Sequence, residues 1–195
     1  LLVLSAIDAS GAGPVVGWGL GRPPNAVNGV EGTASAIAAG EFVSNEPICA
    51  IQAETGAVVC WGESLFGSAT PPDAVNGTNG TASAIAAGSY YACAIQTGSG
   101  AVVCWGRYRD GTPVVPPPSV DGTEGEASAI AGGYNQTCAI QATTNAVVCW
   151  SDPNDYPGFT PPPASVDGTQ GTAAAISARV DATCAIQAGT GAVVC

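Results

Sequence analysis

The sequence predicts an all-β protein built from the blades of a β-propeller. Three observations predict it: one segment recurs about every 45 residues, each copy consists of short β-branched runs between turn residues, and both faces of each run are apolar. The 195 residues include 27 glycines and 15 prolines, a composition typical of many turns and short strands. A helical solenoid would show a 3.6-residue period instead, and a parallel β-helix would use shorter coils.

The repeat is easiest to see in the segment from Cys49 to Trp61, which recurs from Cys93, Cys138 and Cys184, spaced by 44, 45 and 46 residues. An Ala/Ile-rich run, an Asx-Gly turn and a group of prolines precede each copy. A degenerate copy without cysteines opens the chain at Ser5-Ala6-Ile7 and Val15-Val16-Gly17-Trp18. We therefore expect one partial propeller over residues 1–195. Its units are approximately 1–20 (degenerate), 21–62, 63–106, 107–151 and 152–195.

Within each copy the pattern predicts a tight hairpin. Pairing Cys49 with Cys60 places Ile51 opposite Val58 and leaves a four-residue loop, 53–56. Such a loop, built on a type I turn, needs a left-handed residue in its last position. That position holds residues that tolerate positive φ: Gly56, Gly100, Asn145 and Gly191.

The same register assigns side chains to the two faces of the hairpin. Cys49, Ile51, Val58 and Cys60 share one face, and Ala50, Val59 and Trp61 share the other. A small sheet that is apolar on both sides must be covered on both sides, as a propeller blade is by its neighbours. The recurring tryptophans are expected to pack between blades: Trp18, Trp61, Trp105 and Trp150.

The pattern Ala-Ala-Gly…Cys-Ala-Ile…Gly-Ala-Val-Val-Cys-Trp-Gly resembles the regulator-of-chromosome-condensation-type repeat, in the cysteine-paired form of secreted and surface proteins. The resemblance covers nearly the whole chain and implies a propeller of about seven blades. Members of this fold include nucleotide exchange factors, β-lactamase inhibitors and receptor modules, so fold does not define function. About four and a third units are too few to close such a ring. We expect a longer polypeptide, with self-association of a half-propeller as the alternative.

The eight cysteines form four pairs, each separated by 11 positions, and the degenerate unit has lost both members, leaving Ser5 and Gly17. Opposed positions on antiparallel strands meet the distance that a disulfide needs, whereas zinc sites space cysteines more closely. We predict the disulfides Cys49–Cys60, Cys93–Cys104, Cys138–Cys149 and Cys184–Cys195. Buried free thiols in an intracellular propeller are the alternative.

Disulfides and three sequons, at Asn76, Asn79 and Asn135, both favour a secreted or cell-surface glycoprotein. Leu1 to Leu4 aligns with a repeat strand and lacks a basic flank, so we assign no targeting segment to it.

Charge excludes several function classes. Fifteen carboxylates oppose four arginines, with a net charge of −11 and no histidine. Nucleic-acid binding is therefore not expected, nor are a metal, a cofactor or histidine-based catalysis. Membrane insertion is not expected because no apolar run approaches the roughly 20 residues that span a bilayer. Asp121 and Asp167 occupy turn positions, and Asp152 and Asp155 lack the spacing of an EF-hand. We expect no catalytic residues and no enzyme activity.

Residues that the repeat does not require are the candidate binding residues, because propeller partners bind at loops on the rims. They form three groups, one of which combines equivalent places in two repeats, and comprise Phe42, Tyr90, Tyr91, Tyr134, Arg107, Tyr108 and Arg109. The sequence thus predicts a structural or protein-interaction module of the cell exterior, in which a protein partner or self-assembly uses the rim. A lectin that binds glycans, or a protein inhibitor, is the alternative.

Overall fold

The fold consists of four consecutive three-stranded antiparallel sheets, seen in a computed structural model that describes residues 11–17, 21–40, 46–152, 154, 159–180 and 182–195. Each sheet is one blade, and its three strands pair in chain order. Blade 1 comprises β1 (Ala34–Ala39), β2 (Pro47–Gln52) and β3 (Val58–Gly62), and blade 2 comprises β4 (Ala82–Ala87), β5 (Tyr91–Gln96) and β6 (Val102–Gly106). Blade 3 comprises β7 (Ala127–Gly132), β8 (Gln136–Gln141) and β9 (Val147–Ser151), and blade 4 comprises β10 (Ala173–Arg179), β11 (Ala182–Gln187) and β12 (Val193–Val194).

The predicted hairpin register is confirmed. Cys49 pairs with Cys60 and Ile51 with Val58, and the equivalent pairs recur in blades 2 and 3. The last residue of each hairpin loop has positive φ, including the non-glycine Asn145 at +55°. All four predicted disulfides are present, with Cα–Cα separations of 4.0–4.1 Å: Cys49–Cys60, Cys93–Cys104, Cys138–Cys149 and Cys184–Cys195. Each disulfide joins two opposed residues of one hairpin. Because it constrains the unfolded chain, each bond stabilises the fold by roughly 2–3 kcal/mol.

A recurring glutamine at the end of the middle strand holds the hairpin loop against the connector from the preceding blade. Gln96 Nε2 donates to the carbonyl of Ala74 at 3.0 Å, and Gln96 Oε1 accepts from the Ser99 hydroxyl at 2.9 Å. The same pair of bonds is made by Gln52, Gln141 and Gln187. This role explains a polar residue that recurs at one position of an otherwise apolar strand.

The core lies between the blades, so both faces of an inner sheet are covered, as predicted. Between blades 1 and 2, Cys49, Ile51 and Val58 pack against Ala92 and Ala94. The counterparts of four of these residues lie in the clusters of the next two interfaces: Cys93, Ile95, Val102 and Ala139 between blades 2 and 3, and Cys138, Ile140, Val147 and Ala185 between blades 3 and 4. Large side chains on one sheet therefore meet small ones on the next, which lets the sheets approach closely.

Backbone hydrogen bonds also join successive blades. The first strand of each later blade donates to the hairpin loop of the blade before it: Ala82 N to Gly56 O at 2.9 Å, Ala127 N to Gly100 O at 2.8 Å and Ala173 N to Asn145 O at 2.9 Å. Ala34 N makes the same bond to Gly13 O at 2.9 Å, in the segment that aligns with the degenerate copy. The blades thus form one continuous array in which the same backbone bond joins each pair of neighbours.

Candidate interaction site

One edge of the array collects most of the loops that the sequence analysis singled out. The β4–β5 turn, the β7–β8 turn and the segment that follows β6 all emerge at this edge, because alternate strands run in opposite directions. Two backbone bonds join these loops: Ser89 N to Tyr134 O at 3.5 Å and Arg107 N to Tyr90 O at 3.2 Å. We define the aromatic rim as the five side chains displayed here: Phe66, Tyr90, Arg107, Arg109 and Tyr134.

Phe66 and Tyr90 form the aromatic contact of this rim. Their ring centroids lie 6.2 Å apart with an interplanar angle of 82°, an edge-to-face arrangement. Phe66 lies in the short 3-10 turn Leu65–Gly67, has a φ of +56° and exposes 44% of its surface. Positive φ is uncommon for a bulky residue, so the turn holds this ring at the surface at a conformational cost. Our sequence analysis missed Phe66, although its Leu-Phe-Gly turn has no counterpart in the other repeats.

The two arginines of the rim are ordered by hydrogen bonds. Arg109 Nη1 donates to the Tyr134 hydroxyl at 3.3 Å, and Arg107 Nη1 donates to the carbonyl of Gly111 at 2.9 Å. Asp110 lies between them in sequence, and a hydrogen bond from the Thr112 hydroxyl holds the pKa of its carboxyl below its ordinary value. The rim therefore offers two cations beside aromatic rings, and the ionised carboxylate of Asp110 lies next to it in sequence.

Tyr91 and Tyr108 do not belong to the surface, and our expectation that they contact a partner is wrong. They expose 1% and 2% of their surface and pack edge-to-face in the core between blades 2 and 3, with centroids 5.5 Å apart. Burial, followed by the nearby Tyr91 and Asp152, raises the pKa of Tyr108 far above its ordinary value, so its hydroxyl stays protonated. Both rings stabilise the blade interface.

The predicted glycosylation sites differ in accessibility. Asn79 is exposed, and Asn76 is half-buried with its Nδ2 donating to Asp73 Oδ1 at 3.1 Å. Asn135 is 1% exposed, which contradicts its prediction as an acceptor because an attached glycan has no room in this fold. Phe42 lies outside the described residues.

The acidic residues of the turns act as the sequence predicted. Asp121 Oδ1 accepts from the backbone N–H and the hydroxyl of Thr123, and Asp167 makes the same bonds with Thr169. The hydroxyl donor is the first cause that lowers the pKa of each carboxyl. Within the described part of the chain no three His, Cys, Asp or Glu side chains group as metal ligands, and no helix is long and apolar enough to cross a membrane.

No protein-family model matches the sequence, and no curated protein matches it. Solved structures do share its fold. The CRINKLY WD40 ectodomain of the Arabidopsis thaliana receptor kinase ACR4 superposes with a TM-score of 0.58 at 23% identity, over 82% of this chain and 48% of that one. The ectodomain of the Physcomitrella patens receptor kinase CR4 gives 0.63 at 21% identity, over 84% and 41%. Yeast RCC1 (Prp20), solved with Kap60, gives 0.58 at 14% identity, over 88% and 44%.

The fold is a partial β-propeller. This chain spans less than half the length of each of these three neighbours. One of them, yeast RCC1, is of the type that the repeat pattern resembles, and at these identities the likeness extends to the fold alone. Receptor ectodomains and an intracellular protein both occur among the propeller's neighbours, so the location of this chain has to be argued from its own residues.

Proposed function

We propose that this chain is a disulfide-stabilised propeller module of the cell exterior that binds a protein partner through the aromatic rim. The proposal depends on two contacts at one edge of the array. Phe66 packs edge-to-face against Tyr90, and the Arg109 guanidinium donates a hydrogen bond to the Tyr134 hydroxyl. Aromatic residues and arginine are the types enriched at protein interfaces and at their energetic centres.

The cysteines support the extracellular part of the proposal. All eight cysteines are paired, and each disulfide joins the two strands of one hairpin. Such bonds persist in oxidising compartments and are rare in the cytosol and nucleus. Two of the propeller neighbours are ectodomains of receptor kinases. The paired cysteines therefore favour the cell exterior, and the receptor ectodomains are examples of this fold there.

The location is tested by thiol chemistry on protein isolated from its native source. We expect the denatured protein to take up a thiol reagent at none of its eight cysteines before reduction and at all eight afterwards. Full labelling without reductant would contradict the proposal, because it would mean that the native compartment keeps these cysteines as thiols.

Partner binding is tested with surface variants. The wild-type module, secreted from eukaryotic cells, is used to capture proteins from the extracellular fraction of its source, and each captured protein is then purified for a direct affinity measurement. We expect the double variant Phe66→Ala, Tyr90→Ala to raise the dissociation constant at least about tenfold, as the loss of central aromatic contacts does.

The matched control is Val30→Ser, which removes an exposed apolar side chain away from the aromatic rim. Val30 is 70% exposed and follows the Asx turn at Asn28. Unchanged affinity in this control and weakened affinity in the rim variant support the proposal. Equal affinity of the rim variant and the wild type, or binding only to glycans on an array, would overturn it.

A further inference from the structure

A group of buried polar atoms lies at the junction of blades 2 and 3. The Tyr108 hydroxyl, Asn135 Oδ1 and Asp152 Oδ2 have no hydrogen-bond partner in the part of the chain that the structure describes. Their residues are 2%, 1% and 1% exposed. Burying a polar atom without a partner is costly, and the cost is largest for a carboxylate. These oxygens therefore indicate that a group from outside the chain bonds to them.

The strand register brings these atoms to one face. A backbone bond from Asp152 N to Asn135 O at 3.1 Å continues the β8–β9 ladder, so these two residues are directly opposed and share a face. By alternation it is the face of Thr137, whose hydroxyl donates to the Tyr91 hydroxyl of blade 2 at 3.0 Å. Burial, then Tyr91, then Asp152 raise the pKa of the Tyr108 hydroxyl, so this oxygen is a neighbour of the Asp152 carboxyl.

A second carboxylate, that of Asp110, borders the same place. Asn154 links the two acids, since its backbone N–H donates to Asp152 Oδ1 at 2.8 Å and its Nδ2 donates to Asp110 Oδ2 at 3.0 Å. Hydrogen bonds from Thr112 and Asn154, and a weaker one shared with Asp152, hold the pKa of Asp110 below its ordinary value. The two carboxyl groups thus lie within hydrogen-bond reach of each other. Carboxylates at this distance repel unless a proton or a cation lies between them.

The repeat shows that a blade does not require a buried acid here. Counting from the tryptophans, Asp152 corresponds to Arg107 of blade 2. Asn135 corresponds to Tyr90 by the same count from the cysteines, and the same backbone bond joins both pairs. Arg107 is exposed and donates to the Gly111 carbonyl, whereas Asp152 and Asn135 are buried with an oxygen unpaired. The buried acid and amide therefore answer to something other than the architecture of the blade.

We propose that Asp110, Asn135 and Asp152 bind a calcium ion at the junction of blades 2 and 3. Two carboxylates and an amide oxygen are the hard oxygen ligands that calcium prefers, and the neutral Tyr108 hydroxyl supplies a further oxygen. Asp110 and Asn154 are exposed, so the ion and the waters that complete its coordination enter from their side. The site does not depend on a partner at the aromatic rim, and either proposal can fail without the other.

Such a site has no signature in the sequence. Our sequence analysis expected no metal because Asp152 lacks the spacing of an EF-hand loop, whereas Asp110 and Asn135 come from other segments of the chain. Only two of the ligands are acidic, so the site differs from the groups of three potential ligands that the described residues lack. With two carboxylates and an open side, we expect a dissociation constant in the range of extracellular calcium modules, roughly 0.1–1 mM.

The first experiment titrates the isotope-labelled, chelator-treated protein with calcium chloride and follows its backbone amide NMR signals. We expect saturable shifts concentrated at Asp110, Asn135 and Asp152. Magnesium chloride is the control for ionic strength and should give no saturable shifts there, because magnesium sheds its water reluctantly. Absence of saturable shifts with calcium, or equal shifts with both ions, would overturn the proposal, since water or a shared proton would then satisfy these oxygens.

Two variants make the result specific. Asp152→Asn keeps an oxygen that can accept from the Asn154 N–H but removes one of the two charges, so it should raise the calcium dissociation constant at least about tenfold. The matched substitution Asp121→Asn removes the same charge from the Asx turn that precedes β7 and should leave calcium binding unchanged. Equal calcium binding by the two variants would contradict the site.

The melting temperature gives a second readout. Calcium should raise the melting temperature of the wild type. Without calcium, Asp152→Asn should melt at a higher temperature than the wild type, because the variant no longer places two carboxylates against each other. A purely structural role of Asp152 predicts the reverse, a lower melting temperature of the variant with and without calcium, and that result would also contradict the proposal.

Discussion

The hydroxyl of Tyr91 donates a hydrogen bond of 2.7 Å to the backbone carbonyl of Gln136 in the next blade. The same oxygen accepts from the hydroxyl of Thr137 at 3.0 Å, and Thr137 is fully buried. One side chain of blade 2 thus satisfies polar groups at the start of β8 in blade 3. Most of each interface is apolar and tolerates small shifts, whereas these directional bonds define how the two blades are aligned.

Removing this hydroxyl should therefore weaken the junction of blades 2 and 3. We expect Tyr91→Phe to lower the free energy of unfolding by about 1–3 kcal/mol, because the buried Thr137 hydroxyl loses its acceptor. Urea denaturation measures the change. The control is Tyr90→Phe, at the half-buried neighbouring position, which should stay within about 0.5 kcal/mol of wild type. Equal effects of the two variants would contradict the role assigned to Tyr91.

The left-handed residue of the third hairpin gives a second prediction. Asn145 has a φ of +55°, and glycine occupies the equivalent positions 56, 100 and 191. Asn145→Ala should cost roughly 1–2 kcal/mol of unfolding free energy, because alanine is strained in this conformation. Asn145→Gly should be close to neutral. Chemical denaturation of the three proteins side by side tests this, and an alanine variant as stable as wild type would refute it.

The pH dependence of stability should arise in part from the Asx turns. The pKa values of Asp121 and Asp167 lie below their ordinary value of 3.8 in the folded protein, so their ionised forms stabilise the fold. This contribution is fully present above the unfolded pKa, near 3.8, and is lost as the pH falls through the lower folded values.

The double variant Asp121→Asn, Asp167→Asn tests this assignment. Asparagine already occupies the same turn position at Asn28 and Asn76, so the turns should be retained. We expect a smaller fall in melting temperature than wild type shows when the pH is lowered from 5 to 2. Parallel pH profiles for the two proteins would count against a contribution from these carboxyls.

Glycosylation should follow accessibility and not the sequon alone. In protein secreted from eukaryotic cells, we expect Asn79→Gln to remove sugar mass and Asn135→Gln to remove none, since Asn79 is exposed and Asn135 is buried. Intact mass before and after enzymatic deglycosylation measures both. Sugar found on Asn135 in the folded, secreted protein would contradict the packing at the start of β8.

Much of the fold could be predicted because it is encoded locally. The two strands of each hairpin are joined by a short loop, so the cysteine spacing, the alternating apolar positions and the residue at positive φ define the register together. Four repetitions of one pattern also reinforce each other, so the position of a single irregular residue such as Asn145 becomes informative.

The irregular residues could not be assigned in the same way. Tyr90 and Tyr91 are adjacent in sequence, yet one lies on the aromatic rim and the other in the core. Their difference depends on β5 starting at Tyr91 and on the position of blade 3 against it. A register shift in the first strand of each blade, as between Ala82 and Ala84, also has no clear sequence signal.

The sequence by itself determined the repeated blade, its disulfides and its turns, since these depend on residues that are close along the chain. The tertiary structure alone decided which side chains between the repeats remain accessible. Phe66 joins Tyr90 at the surface, whereas Tyr108 joins Tyr91 in the core. These outcomes depend on contacts between blades, whose geometry is determined by the packing of whole sheets.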